Sequence, residues 1–368
     1  MSLKSEAIHP LPKAGILDIS PYVPGKSAAK GAKIHKLSSN ESPFGASPKA
    51  MAAYASKGDL LALYPDGSAT ELREAIAARY GLNAASIVCG AGSDELLQLL
   101  AHAYLAPGDE AVYSQYGFLV YPIAIASNGA KAVVAQEVDH ATSVDEMLKC
   151  VNARTKVVFL ANPNNPTGTY LPYDEVKRLH AGLPSNVLLV LDGAYAEFVR
   201  KNDYASGIEL ASQYGNVLIT RTFSKLYGLA GLRVGWSYAP AHVVDALEKV
   251  RMPFNVNLAA QAAAIAALED DAFNEASLAH NDIELARVSA ELKKLGLPII
   301  DGVGNFVVAE FPTTKGKTAA EALEHCKNNG VTLRGLAGYK MPNHLRISIG
   351  SVDGNNAALR LLKEFLGK

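Results

Sequence analysis

Val187-Leu188-Leu189-Val190-Leu191-Asp192 is the stretch whose reading decides the fold. Five apolar residues follow one another without polar alternation, so a strand built from them has no face to give to water. Such a strand belongs in a parallel sheet covered by helices on both sides, and its aspartate falls at the carboxyl end. Outward in both directions the same signature recurs at Ser86–Cys89, Glu110–Tyr113, Ala132–Ala135, Lys156–Leu160, Val217–Thr220 and Val234–Tyr238. Between them, stretches such as Asp94–Tyr104 and Tyr173–Ala181 carry apolar residues at i, i+3 and i+4, the spacing of helices that pack on such a sheet. The fold class expected is α/β, with a mostly parallel-sheet large domain.

The alternation ends at Met252-Pro253. A helical stretch follows from Leu258 to about Leu295, Ala-rich at first and then charged, and it reads as one long helix bridging two domains. After Pro298 the pattern becomes strand (Phe306–Glu310), helix (Thr318–Asn328), short strand (Val331–Arg334), strand (His344–Ser348) and helix (Ala357–Leu366), a small α+β unit. Pro10, Pro12, Pro21, Pro24, Gly25 and Gly31 punctuate the first forty residues too densely for regular elements. The expected division is an N-terminal arm (1–44) joining the small domain, a large domain (45–255), and an interdomain helix with the small C-terminal domain (256–368). A chain of 368 residues suits two domains at roughly 100–200 residues each.

Lys and Arg number 35 against 36 Asp and Glu, a net charge of −1 with no basic block, so no footprint for nucleic acid or an anionic membrane is expected. Val256–Leu268, the longest low-charge stretch, falls short of the roughly 20 apolar residues a membrane span needs. Cys89, Cys150 and Cys326 are odd in number and widely spaced, which suits neither a disulfide framework nor a metal or redox pair. The nine histidines form no H-E-x-x-H pattern, so no metal is expected. Met1 to Gly15 carries no apolar core before a cleavage site, and a cytoplasmic location is the expectation.

In doubly wound sheets ligands bind beyond the carboxyl ends of the strands, so the residues following each strand hold the chemistry. Gly90-Ala91-Gly92-Ser93-Asp94 follows one strand and opens a helix, whose free N–H groups favour an anion. It lacks the third glycine of a dinucleotide fingerprint and the G-K-[ST] ending of a P-loop, and alone it reads equally as a helix cap. Asn162-Pro163-Asn164-Asn165-Pro166-Thr167-Gly168 is a loop of restricted residues suited to aiming one amide side chain. Asp192, with Tyr195 three residues on, is a carboxylate at the end of a buried strand, costly unless it caps a helix or meets a cation. Arg221-Thr222-Phe223-Ser224-Lys225 brings a lysine between hydroxyls, and Arg233 follows after Gly228 and Gly231. Hydroxyls and a guanidinium are what a phosphate requires, and a lysine amine forms a Schiff base with a carbonyl. Together these sites fit a phosphorylated aromatic aldehyde with a basic ring nitrogen, which is pyridoxal 5′-phosphate.

With these motifs the sequence resembles the pyridoxal-phosphate aminotransferases of fold type I, in the histidinol-phosphate aminotransferase branch. The resemblance runs from Pro21-Tyr22-Val23-Pro24-Gly25-Lys26 to the strand of Arg346. It is strongest at Leu37-Ser38-Ser39-Asn40-Glu41-Ser42-Pro43-Phe44-Gly45, Tyr64-Pro65-Asp66-Gly67, the Asn-Asn-Pro-Thr-Gly loop, Arg221 to Lys225, and Leu345-Arg346-Ile347-Ser348-Ile349-Gly350. It implies that Lys225 holds the cofactor as an internal aldimine and then shuttles protons. It implies further that Asp192 pairs with the pyridine N–H⁺, that Asn165 and Tyr195 bond the phenolic oxygen, and that Tyr116 stacks on the ring. Gly92, Ser93, Asp94, Thr222, Ser224 and Arg233 would hold the phosphate. Tyr64 would reach the phosphate of a partner subunit, making a homodimer the complete unit. On the substrate side, Arg346 would grip a carboxylate, with Arg334, Asn165 and Tyr22 as further substrate contacts.

The reaction so implied is imidazole-acetol phosphate plus L-glutamate to L-histidinol phosphate plus 2-oxoglutarate, a ping-pong step of histidine biosynthesis. Two readings stand beside it. An aromatic amino-acid aminotransferase shares this branch's features, and a decarboxylase of a phosphorylated amino acid keeps the same Lys and Asp. A non-catalytic regulatory domain would bring a basic extension, and the sequence has none.

Overall fold

The computed structural model describes residues 12, 13, 15–21 and 34–368. Tyr22 and most of the arm before residue 34 lie outside the described residues. The central sheet has seven strands: β1 (Ile87–Gly90), β2 (Glu110–Ser114), β3 (Lys131–Ala135), β4 (Thr155–Ala161), β5 (Leu188–Asp192), β6 (Val217–Thr222) and β7 (Gly235–Tyr238). Their spatial order is β1-β7-β6-β5-β4-β2-β3. Alternate residues serve opposite faces. Leu189 and Leu191 of β5 enter one core with Val158 and Leu160 of β4, while Leu188 and Val190 enter the other with Val157 and Phe159. Two buried faces are the physical reason for the unbroken apolar runs.

One strand departs from the parallel arrangement. β7 pairs antiparallel with both β1 and β6. The link from Thr222 to Gly235 contains only the short 3₁₀ turn Ala230–Leu232, too little to recross the sheet, so the chain returns from the end it left. That return keeps Ser224, Lys225 and Arg233 at the carboxyl ends of the parallel strands.

A second sheet, entirely antiparallel, is formed by β8 (Ile299–Ile300), β9 (Phe306–Glu310), β10 (Arg334–Gly335) and β11 (His344–Ser348) in the order β8-β9-β11-β10. Helices Ala319–Asn328 and Val352–Leu366 bury its inner face around Val307, Ala322, Ile347 and Leu362. His35–Lys36 pairs in parallel with Val331–Thr332, and Leu37 enters this second core, so the chain passes through the small unit before it builds the large one.

Two helical expectations are corrected. The single helix predicted from Leu258 to about Leu295 is two helices, Leu258–Leu268 and Asp271–Lys294. The break is fixed by Asn274, whose Nδ2 donates to the Ala267 carbonyl, closing the C-terminus of the first helix. The first helix lays its alanines into the large core beside Pro48–Ala55, and the second carries Val288 and Leu292 into the small one. The last helix begins at Val352 rather than Ala357. Ser351 caps it by accepting from the Gly354 amide, and Asn355 is buried against Glu284 and Gly350, roles that Gly354-Asn355-Asn356 does not advertise as helix.

Candidate active site

The carboxyl ends of β1, β4, β5 and β6 open into a cavity of about 260 Å³ walled on its far side by β10 and β11. At the β1 end, Gly92 adopts φ +87°, and a Cβ there would fall 2.5 Å from the Arg233 guanidinium, so only glycine lets Arg233 lie across the turn. Gly92 supplies no side-chain cap to the helix Ser93–Tyr104, which leaves the first-turn amides of Ser93 and Asp94 without helical acceptors. Arg233 reaches the same corner, its Nη1 3.3 Å from Ser224 Oγ and its Nη2 3.4 Å from Asp94 Oδ2. Thr222 Oγ1 accepts from the Ser224 amide at 3.1 Å and fixes the turn that presents Lys225. Two open amides, two hydroxyls and a guanidinium converge as an oxyanion cradle sized for a phosphate.

Asp192 lies 4% exposed at the end of β5. Burial pushes its carboxyl up to about 6, against hydrogen bonds from Tyr121, the Ala194 amide and Thr220 that act to lower it. Among the described residues no lysine or arginine forms an ion pair with it. A buried carboxylate in need of a cation, facing a cavity, suits a protonated ring nitrogen. Lys225 stands across from it, its Nζ donating to the Ser39 carbonyl at 3.2 Å and lying 5.7 Å from the centre of the Tyr195 ring. The Tyr195 hydroxyl accepts from Asn40 Nδ2 at 2.8 Å, which leaves its own proton available to an oxygen in the cavity. Asn165 also lines the cavity, in a loop where both Asn–Pro peptide bonds are cis.

Arg334 and Arg346 line the opposite wall as direct partners in the β10–β11 ladder. Like charges facing each other across a ladder destabilise a sheet, and an anion between them reverses the sign of the interaction. Arg346 is 6% exposed, donates to Asn165 Oδ1 and to the Ser38 carbonyl, and keeps its Nε–H without a partner. A buried guanidinium in a cavity wall, beside a second arginine, suits a carboxylate or phosphate oxygen.

The residues expected from sequence do not all converge. Tyr116 stacks on His140, with ring centres 5.7 Å apart, and Phe118 rather than Tyr116 lines the cavity. Tyr64 is 82% exposed on the outer surface, its ring stacked on Phe254. Tyr22 lies outside the described residues. Sequence reading missed Tyr121, which reaches Asp192 from a helix with no motif, and the partnership of Asn40 with Tyr195. The only hint of the second was the length of the matched Leu37–Gly45 segment.

The sequence profile of the family described as aminotransferase class I and II matches residues 32–362. The chain belongs to that family. Within it, the chain is 57% identical over 362 residues to a histidinol-phosphate aminotransferase of Rhodopseudomonas palustris (strain TIE-1), covering 98% of this chain and 99% of the relative. The protein of the same name from Nitrobacter hamburgensis is 53% identical over the same shares. Among solved structures, histidinol-phosphate aminotransferase from Sinorhizobium meliloti in complex with pyridoxal-5′-phosphate superposes with a TM-score of 0.88 at 26% identity, covering 98% of this chain and 99% of that one. An aspartate aminotransferase of Thermus thermophilus, at 20% identity and a TM-score of 0.84 over 97% of this chain and 100% of that one, shares the fold.

Proposed function

We propose that the chain is a histidinol-phosphate aminotransferase that exchanges an amino group between L-glutamate and imidazole-acetol phosphate, with pyridoxal 5′-phosphate in the cavity at the sheet edge. The observation that carries this reading is the shared lining of that cavity by Lys225, the uncompensated Asp192 and the opposed Arg334 and Arg346. Bound there, pyridoxal phosphate supplies a carbonyl for the substrate amine and a ring that accepts the electron pair released at the amine-bearing carbon. The protein's part is to hold, orient and move protons. The Ser93 and Asp94 amides with Thr222, Ser224 and Arg233 bind the phosphate, and Asp192 keeps the ring nitrogen protonated. Asn165 and Tyr195 hold the phenolic oxygen, and the Lys225 amine is the covalent anchor and the base that carries a proton along the substrate. Tyr22 as a substrate contact and Gly92 as the phosphate turn belong to the same proposal; Tyr116 belongs to it as the ring-stacking residue only with its ring turned off His140 and into the cavity that Phe118 now lines.

Arg346 and Arg334 would take a carboxylate in one half-reaction and a phosphate in the other, since planar guanidinium groups serve both. A homodimer completes the proposal. Met51, Leu61, Leu63, Tyr64, Met252 and Phe254 stand exposed, and the stacked Tyr64–Phe254 pair would meet a second copy, with Tyr64 reaching the partner's cradle. The location proposed is the cytoplasm, consistent with three free cysteines; no described helix is long and apolar enough to cross a membrane. Comparing kcat/KM for histidinol phosphate and phenylalanine, each with 2-oxoglutarate, tests the assignment. A preference of at least about a hundredfold for the phosphorylated amine is expected from two charge-assisted contacts. Equal values would transfer the assignment to an aromatic aminotransferase, and carbon dioxide release without a keto product would make the chain a decarboxylase.

A further inference from the structure

Tyr121 is the one strong donor to Asp192 that no sequence motif announces. It sits 1% exposed in the helix Val120–Ser127, and its hydroxyl donates to Asp192 Oδ2 at 2.8 Å. Its ring is stacked on Phe159 at 4.9 Å between centres and 14° between planes, and Phe118 and Tyr113 meet it edge-on. A phenol so clamped has no freedom to turn its oxygen away from the carboxylate. We propose that Tyr121 is a positioning residue for the reaction, which fixes the Asp192 carboxylate toward the cavity and keeps it ionised, so that it can hold a protonated ring nitrogen. The inference rests on the reading that Asp192 is the partner of that nitrogen.

The surroundings agree in sign. Burial and the facing carboxylate push the Tyr121 phenol well above its usual range, so it remains a donor throughout neutral pH. Around the pair, Asp94 from the helix start opposes ionisation of Asp192, while the Ala194 amide and the Thr220 hydroxyl favour it. Tyr339 and Asp94 act on the Tyr121 phenol in the same direction as its burial, and Tyr113 is the further titratable group against its ring. Removing the Tyr121 hydroxyl takes away the largest of the influences that hold Asp192 ionised against burial.

The test is Tyr121→Phe, which keeps the ring stack and deletes only the donor. In the protein without cofactor, isotope-edited infrared titration of the Asp192 carboxyl is expected to move to higher pH than in wild type. In the loaded enzyme the acidic limb of the kcat–pH profile is expected to move the same way, with pyridoxal-phosphate affinity weaker by about tenfold. Substituting 3-fluorotyrosine at position 121, a stronger donor of nearly the same shape, should move both titrations downward and serves if Tyr121→Phe does not fold. Unmoved titrations in these variants would reduce Tyr121 to packing and overturn the inference. Asp192→Asn separates the two levels: wild-type cofactor affinity in that variant would remove the reading beneath the inference, whatever Tyr121 does.

Discussion

Lys225, in the loop after β6, and Asp192, at the end of the neighbouring β5, face the same cavity, and their chemistry is set by what surrounds each. Lys225→Ala should abolish the visible absorbance of lysine-bound cofactor and lower kcat by at least about a thousandfold, since anchor and proton carrier are one amine. Retention of that absorbance would refute the assignment. Arg346 differs in kind, because its cost and its use are separate. Arg346→Leu should reduce kcat/KM for glutamate by about a hundredfold. The same change relieves the like charge opposite Arg334 but leaves the Ser38 carbonyl and Asn165 Oδ1 without a donor, so Tm is expected to fall by about 2–4 °C, and a thermal scan beside the kinetics separates this structural share from the far larger loss in kcat/KM. The types of these residues were legible in sequence because each is chemically out of place: an acid ending an apolar strand, an arginine inside one. Tyr121 was not legible, because a tyrosine in an apolar helix looks like any core aromatic until its hydroxyl is seen to meet Asp192.

At the scale of elements, the loop from Thr222 to Gly235 is the decisive piece. It carries Lys225 and Arg233 and turns β7 antiparallel, and its path depends on Gly228. Gly228 has φ +68°, and a Cβ there would lie 2.0 Å from the Gly45 carbonyl oxygen, against backbone that cannot yield. Gly228→Ala should therefore cost about 3 kcal/mol of unfolding free energy, read from denaturant curves, and weaken cofactor binding with it. The strands of the large sheet, with Phe306–Glu310 and His344–Ser348 of the small one, were readable because burial writes apolar runs directly into sequence. Ile299–Ile300 was not, and Val331–Arg334, expected as one strand, is two, Val331–Thr332 beside His35–Lys36 and Arg334–Gly335 beside His344–Ser348. The helix break at Glu269–Asp270 was not readable, since it depends on Asn274 reaching back to Ala267 and on the second helix passing from the large core at Leu278 to the small one at Val288 and Leu292. Nor was the early start of the last helix, where Ser351 caps a run that is locally turn-like.

For the whole molecule, the junction between the two units contains a titrating contact. His344 of β11 is 8% exposed, its ring lies 5.3 Å from that of His140 in the large unit, and neither of its nitrogens has a partner. Burial holds its pKa below the ordinary 6.5, with His140 acting in the same direction and Glu310 against it. A base whose folded pKa is depressed contributes stability that is present above its unfolded value and lost as pH falls through the folded one. Tm is therefore expected to fall on acidification below about pH 6.5, and His344→Gln should flatten that fall; an unchanged slope would place the acid sensitivity elsewhere. The proposed homodimer belongs to this scale too. Mixing an inactive Lys225→Ala chain with an inactive Tyr64→Ala chain should restore part of the activity through hybrid dimers that contain one intact site, measured against either chain alone.

By itself the sequence determined the α/β class, the longer strands and the residue types that stand at the strand ends, because periodicity, restricted loops and misplaced charges are local properties that burial and turn geometry impose on neighbouring positions. What only the tertiary structure decided is who meets whom. The opposition of Arg334 and Arg346 is a register, the bonds of Tyr121 to Asp192 and of Asn40 to Tyr195 join residues 71 and 155 positions apart, and the stacking of Tyr116 on His140 depends on the turn between the paired strands Glu137–Val138 and Ala141–Thr142. Contacts at such separations follow from how two cores pack against each other, and no local pattern along the chain encodes them.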